Sequence, residues 1–335
     1  MSDPAVVLTS PLPSGLEQIA HGYYPLLQAC RQDIGRELAD APAADRLLRY
    51  FERGKMVRPL LIFLATAAVG GRASAAIHAA AALEMLHVAA LIHDDIVDGA
   101  DERRGLTTLH KTMGEAVALI VGDYLILRSM DTLAQPTEGA DPECVMRALG
   151  LLTYHAQECC KGQIRELEPA PDSSEQQYYA IVREKTASQF VAAVSLGATL
   201  GRASFDELKA LRSFAVNTGI AFQIRDDELD ITGDSALLGK PAGNSIAAGR
   251  PLLPIIYLEK HGSPAAVIRY DEMQQQCASR DQLVALLEQE GALERTRRVE
   301  KRFVENALAA LGRLRPTPER DAMVALALYS IERNC

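Results

Sequence analysis

Residues 73–92, ASAAIHAAAALEMLHVAALI, form an almost unbroken apolar run at helical period, and the residues that follow add Asp94, Asp95 and Asp98. A stretch this apolar must be covered by the rest of the chain, so the fold is built around a helix that carries three carboxylates at its rim. The run holds Glu84, His78 and His87 and is mostly alanine, which fits a buried helix better than a membrane span. Gly70-Gly71 and Gly99 bracket a helix over 72–98, with Ser74 as its N-cap.

The same period recurs and alternating strand patterns do not. Helical segments are expected over 15–38, 43–53, 55–69, 109–133, 141–167, 174–200, 205–231, 251–261, 264–276, 280–312 and 317–333, with a loop at 232–250. Prolines such as Pro136, Pro142, Pro169, Pro171, Pro241 and Pro316 fall at the joints, where they are tolerated. The chain reads as all-α, one domain over 1–335 with a loose N-terminal segment at 1–14. A composition of 48% hydrophobic and 24% charged residues suits a soluble globular domain.

A second acidic triplet gives the first one meaning. FQIRDDELD repeats the DDxxD spacing with Asp226, Asp227 and Asp230, again closing an apolar helix pattern. One such cluster is ordinarily a solvated helix end; two, each after a buried-type helix, argue for shared work. Residues four apart share a helix face, so Asp94 with Asp98 and Asp226 with Asp230 point together. Carboxylates without His or Cys suit hard cations, and Mg²⁺ binds through one or two carboxylates plus substrate phosphates. An EF-hand is excluded by the missing D-x-[DN]-x-[DN]-G spacing. Net charge is −9, so bulk attraction to nucleic acid is not expected. Basic residues nevertheless gather near the triplets: Lys55 and Arg58 in RGKMVRP, Arg103 and Arg104, Lys185 beside Thr186, Lys240 and Arg250. Each alone is a surface charge; beside acidic triplets they resemble a diphosphate clamp.

The landmarks GKMVRP, LEMLHVAALIHDDIVDGADERRG, GDYL, the Lys185-Thr186 pair, FQIRDDELD and GKPAGNSIAAGRPLLP occur in order along nearly the whole chain. In these the sequence resembles the trans-isoprenyl diphosphate synthases. The resemblance implies the all-helical isoprenoid synthase bundle around a central cavity, a homodimer, and head-to-tail condensation of isopentenyl diphosphate with an allylic diphosphate. It implies that Asp94, Asp95, Asp98, Asp226, Asp227 and Asp230 hold three Mg²⁺ on the allylic diphosphate. Arg103, Lys185 and Lys240 would touch that diphosphate, Arg250 would add charge, and Thr186 and Gln223 would lie near the reacting carbon. Lys55, Arg58, His87 and Arg104 would hold isopentenyl diphosphate; on its own, His87 would read as a core histidine. Two positions depart from the family pattern: Ser245 replaces an aspartate that supports the metal site, with Asn244 as a substitute through water, and Arg250 replaces lysine.

Product length is read from helix pitch, about 5.4 Å per turn and close to one isoprene unit. Ala89 and Ala90 stand just before Asp94 where farnesyl-specific relatives carry bulk, so that floor is absent. Leu86, Leu83 and Ala82 follow deeper, with Leu119, Ile120, Leu151 and Tyr154 expected as further walls. A product longer than farnesyl diphosphate is expected, with geranylgeranyl diphosphate as the alternative. A terpene cyclase, a non-catalytic partner subunit of a heteromeric synthase, and a prenyltransferase with another acceptor are the readings of other classes. Six cysteines without CxxC spacing and an N-terminus without a basic-then-apolar leader lead us to expect a reduced, cytoplasmic setting.

Overall fold

The computed structural model describes residues 14–135, 141–168, 174–233, 250–275 and 279–332, and within them the chain is helical almost throughout. The first half comprises α1 (Ser14–Ala20), α2 (Tyr24–Glu37), α3 (Ala44–Glu52), α4 (Val57–Ala68), α5 (Ile77–Val97), α6 (Leu109–Met113), α7 (Glu115–Ala134) and α8 (Pro142–Leu167). There follow α9 (Glu175–Val182), α10 (Ser188–Leu200), α11 (Phe205–Thr232), α12 (Leu253–His261), α13 (Pro264–Gln275), α14 (Arg280–Gln289), α15 (Ala292–Leu311) and α16 (Pro318–Glu332). Strands β1 (Glu102–Arg103) and β2 (Leu106–Thr107) form an antiparallel hairpin, the only sheet among the described residues.

The alanine-rich run lies in the core. Ala79, Ala80, Ala81, Ala82, Leu83, Met85, Val88, Ala89 and Ile92 of α5 are all buried. Alanine serves twice here, with the highest helix propensity and with a side chain small enough to let α2, α4 and α7 close around it. By length and composition Ala73–Val97 could cross a membrane, yet its apolar surface is largely taken up by these neighbours. Removing one large side chain from such a core costs about 2–5 kcal/mol.

The longest helix, α11, belongs to two cores. It starts on a capping box, Ser204 receiving the Glu207 N–H while Glu207 accepts from the Ser204 N–H. Phe214, Ala215 and Ala221 belong to the core that α11 shares with α10 and α16. Ile220, Ile224 and Ile231 pack instead with Leu253 and Ile256 of α12, Leu287 of α14 and Leu293 of α15. Its acidic end is thereby fixed by packing on either side.

Several boundaries differ from the sequence expectation. The single helix expected over 280–312 is two, because Gly291 turns left-handed (φ +69°) between α14 and α15. The segment 174–200 is interrupted by a π turn at Arg183–Ala187. The helix expected from 72 begins as a 3₁₀ turn at Ala73–Ala76, and Ser74 caps nothing. The hairpin β1–β2 was not expected at all. Residues 1–13 and 234–249, which include most of the expected N-terminal segment and of the loop at 232–250, lie outside the described residues.

Candidate active site

The C-terminal ends of α5 and α11 open on one hollow. Asp94 and Asp98 from α5 and Asp226, Asp227 and Asp230 from α11 line a single cavity of about 1310 Å³. Asp95 is placed differently from the expectation. It is turned off the cavity wall, 1% exposed, with its carboxylate 2.5 Å from Arg103 Nε. Burial pushes Asp95 up to about 6, against the pull of Arg103.

The π turn joins the two tips. Lys185 Nζ lies 3.1 Å from Asp94 Oδ1 and 2.6 Å from Glu166 Oε2. The next residue faces the other way: Thr186 Oγ1 donates to Gln223 Oε1 at 2.7 Å, and Gln223 Nε2 donates to Asp227 Oδ1 at 2.8 Å. Two glycines make room for this turn. A Cβ on Gly162 of α8 would stand 2.3 Å from the Lys185 nitrogen, and one on Gly219 of α11 would stand 2.7 Å from Ala187 Cα. Short π segments occur often at functional sites because they re-aim side chains within a helix.

Electrostatics differ between the tips. Burial would raise Asp94, but Lys185, Arg103 and Arg250 together hold it below the usual carboxylate range. Burial and the neighbouring Asp94 raise Asp98, although Arg250 pairs with it directly. On α11, Asp227 accepts from Tyr178 Oη at 2.6 Å as well as from Gln223, and burial still drives it up to about 7.

The hairpin sends two adjacent arginines to opposite sides. Arg104 and Gly105 both have positive φ (+54° and +68°), the signature of a type I′ turn. Arg53 braces it, its Nη1 donating to the Arg104 and Gly105 carbonyls. Arg103 therefore faces Asp94 and Asp95, at 3.6 and 2.5 Å. Arg104 turns toward α3 and donates to the Tyr50 carbonyl at 3.2 Å. There it joins a second basic group: Arg58, Arg104 and Arg31 act on buried Glu84, and Lys55 lines the same cavity. Arg58 also lies 3.2 Å from His87 Nε2 and over the Phe190 ring. Burial lowers Arg58 to about 10.

In the sequence Glu84 reads only as a polar residue of the buried run, and Glu166 and Tyr178 do not stand out. Their partners lie too far along the chain for spacing to reveal them: Tyr178 meets Asp227 across 49 residues. Lys240 and Ser245, singled out from sequence, lie outside the described residues, as does Asn244. Of the chain-length positions, Ala90 lines the cavity, while Ala89 is fully buried in the core and Leu86 packs against it off the cavity wall. Leu119, Ile120 and Tyr154 are exposed rather than walls, and Leu151 packs on the core. Phe190 and Phe222, 5.4 Å apart, supply bulk at the wall that the sequence did not single out.

Among the described residues, no group of three His, Cys, Asp or Glu side chains converges into a ready-made metal cage. Mg²⁺ needs none, since it keeps water and shares its coordination between one or two carboxylates and phosphate oxygens. Carboxylates divided between two rims of one cavity fit that mode.

A model of the polyprenyl synthetase family matches residues 42–289. The octaprenyl diphosphate synthase of Escherichia coli (strain K12) is 32% identical over 286 residues, 84% of this chain and 86% of that protein. The geranylgeranyl diphosphate synthase of Methanosarcina mazei is also 32% identical, over 283 residues and the same shares of the two chains. The crystal structure of polyprenyl synthase from Caulobacter crescentus CB15, complexed with calcium and isoprenyl diphosphate, matches with a TM-score of 0.87 at 27% identity, covering 97% of this chain and 100% of that one. With its helical isoprenoid synthase fold and its two acid-tipped helices over one cavity, the chain belongs to the polyprenyl synthetase family of prenyltransferases.

Proposed function

We propose that the protein condenses isopentenyl diphosphate repeatedly onto an allylic diphosphate, releasing a trans-polyprenyl diphosphate longer than farnesyl diphosphate. The observation that carries this is the division of one cavity into two basic halves, one beside the acidic tips and one around Glu84.

Mg²⁺, three ions per site, would be held by Asp94, Asp98, Asp226, Asp227 and Asp230 and would neutralise the charge that builds on the departing diphosphate. Arg103, Lys185 and Arg250 already pair with the α5 carboxylates and Glu166. An arriving allylic diphosphate takes them over as its own donors. Asp95 aims Arg103 from beneath. Lys55, Arg58 and Arg104 hold isopentenyl diphosphate on the other side. Thr186 and Gln223 present oxygen dipoles to the allylic cation, stabilising positive charge in a dry site. Phe190 and Phe222 exclude water. The second cation gives its proton to the diphosphate just released.

A cavity of about 1310 Å³ exceeds the ~300–1,000 Å³ of ordinary small-ligand sites, and Ala90 leaves its α5 wall open. Both support a medium or long product. The equal identity to an octaprenyl and a geranylgeranyl synthase makes geranylgeranyl diphosphate the second reading. We also take the chain as one domain and as a homodimer in the cytoplasm. Val117, Leu119, Ile120 and Leu127 on α7 and Met146 and Tyr154 on neighbouring α8 are exposed, an apolar face that a second copy would cover.

The test incubates purified protein with Mg²⁺, isopentenyl diphosphate and each of several allylic diphosphates, and identifies products by mass. Linear diphosphates longer than farnesyl are expected. A cyclic hydrocarbon, or turnover only with another subunit added, would overturn the reading.

A further inference from the structure

A run of polar contacts connects the two halves of the cavity and has a single gap. At one end the Lys185 carbonyl, in the π turn, accepts from Cys159 Sγ at 3.4 Å. Cys159 Sγ in turn accepts from Gln189 Nε2 at 3.3 Å. At the other end Arg58 Nη1 stands 3.2 Å from His87 Nε2. A guanidinium only donates, so His87 Nε2 must offer its lone pair and the ring proton must sit on Nδ1. His87 Nδ1 and Gln189 Oε1 are both buried, and neither has a hydrogen-bond partner. Gln189 and His87 line the same cavity, and the Gln189 amide acts on the ring in the sense of an acceptor, raising it against the stronger effect of burial. With the amide nitrogen committed to sulfur, a donor that needs an acceptor meets an acceptor that needs a donor. Burial, together with Arg58 and Arg104, holds His87 well below its ordinary range, so the ring is neutral and the tautomer is defined.

We propose that Gln189 is a positioning residue that fixes the tautomer and aim of His87, closing a hydrogen-bond relay from the Lys185 carbonyl to the Arg58 guanidinium. His87 then acts on isopentenyl diphosphate through Arg58 rather than by donating to it. The kinetic part rests on the function proposed above; the tautomer does not.

The experiment uses full-length protein with ¹⁵N-labelled histidine, reading the two ring nitrogens of His87 by long-range proton–nitrogen NMR. Wild type should show a neutral ring protonated at Nδ1. Gln189→Leu should give mixed tautomers and raise KM for isopentenyl diphosphate about tenfold, the worth of one buried hydrogen bond, with KM for the allylic substrate held within about twofold. Gln189→Met, matched in length and offering only a weak thioether acceptor, repeats the test should the leucine variant not fold. An Nε2-protonated ring in wild type overturns the relay, as does an unchanged tautomer in both variants. A changed tautomer with unchanged KM overturns the link to isopentenyl diphosphate. A wild-type protein that consumes no isopentenyl diphosphate overturns the functional reading, while the nitrogen signals still decide the relay.

Discussion

The ends of α5 and α11 spell the same DDxxD and sit in opposite electrical surroundings. The α5 tip is saturated with cations: Lys185 and Arg103 on Asp94, Arg103 on Asp95, Arg250 on Asp98. Around Asp227 on the α11 tip stand two neutral donors, Tyr178 and Gln223, in a buried setting. Asp94 on one tip is therefore held as an anion at neutral pH, while Asp227 on the other holds a carboxyl near 7 whose ionisation an arriving cation would favour. A repeated motif fixes where carboxylates stand. Whether they are ready as anions is set by neighbours from α8, the π turn and the hairpin.

The largest effect should be shared by both ends. Asp94→Ala and Asp226→Ala are each expected to lower turnover by about 10²–10³ with the circular dichroism of the fold unchanged. Near-normal activity in either would break the equivalence of the two tips as one clamp.

The wall one turn before each triplet offers the next contrast, Ala90 on α5 against Phe222 on α11, both at the cavity. Ala90→Phe makes the two walls alike and should shorten the product, read by mass. Ala89→Phe enters the core instead and should cost about 1–3 kcal/mol in urea denaturation without the same shortening. Equal shortening by both would show that the wall is read wrongly.

Stability should move in opposite directions at the two ends in metal-free protein. Asp227 has a folded pKa above the unfolded value, so the folded state binds extra proton between about 4 and 7 and loses stability as pH rises through that window. Asp227→Asn should therefore be more stable than wild type at pH 8. Asp94 is held low, so it adds stability above the usual carboxylate range that is lost as pH falls. Asp94→Asn should be less stable at pH 8. The Asp227 shift from 3.8 to about 7 corresponds to about 4 kcal/mol, and Asp94→Asn should move the opposite way, both read by chemical denaturation with chelator present; shifts of the same sign would remove the electrical distinction.

The far end of α5 gives the smallest effect and a control. His78 Nδ1 lies 2.7 Å from buried Asp33 Oδ2, which raises the histidine and, despite burial, lowers the carboxylate. Their mutual stabilisation is complete above the usual carboxylate range and below about 6.5; it fades as pH rises through the raised histidine value or falls through the lowered aspartate value. His78→Leu should cost about 1 kcal/mol near pH 5.5 and less at pH 9, with product length unchanged.

Much of this site was legible beforehand because its signals are local. The triplets, the Lys185-Thr186 pair, Lys55 with Arg58 and the Arg103-Arg104 pair read as short strings, and each took its place near the cavity, apart from Asp95 beneath Arg103. Glu166 and Tyr178 gave no such signal, since a lone glutamate on α8 or a lone tyrosine on α9 is indistinguishable from many others until the helices pack. The hairpin was hidden for a related reason: Arg104 adopts positive φ without an Asn or a leading Gly to announce the turn. Ala89 and Ala90 were read together because they are adjacent, yet about 100° around the helix separates a cavity wall from the core.

By itself the sequence determined that this chain is helical, that its alanine-rich helix is buried, and that two carboxylate triplets cap apolar helices. Period and spacing carry that information within a few turns, where backbone geometry leaves little choice. Tertiary structure alone decided which carboxyls are anions, which of two adjacent arginines serves which half, and which small residue faces the hollow. Those outcomes depend on burial and on charges brought together from distant parts of the chain, and no local pattern encodes either.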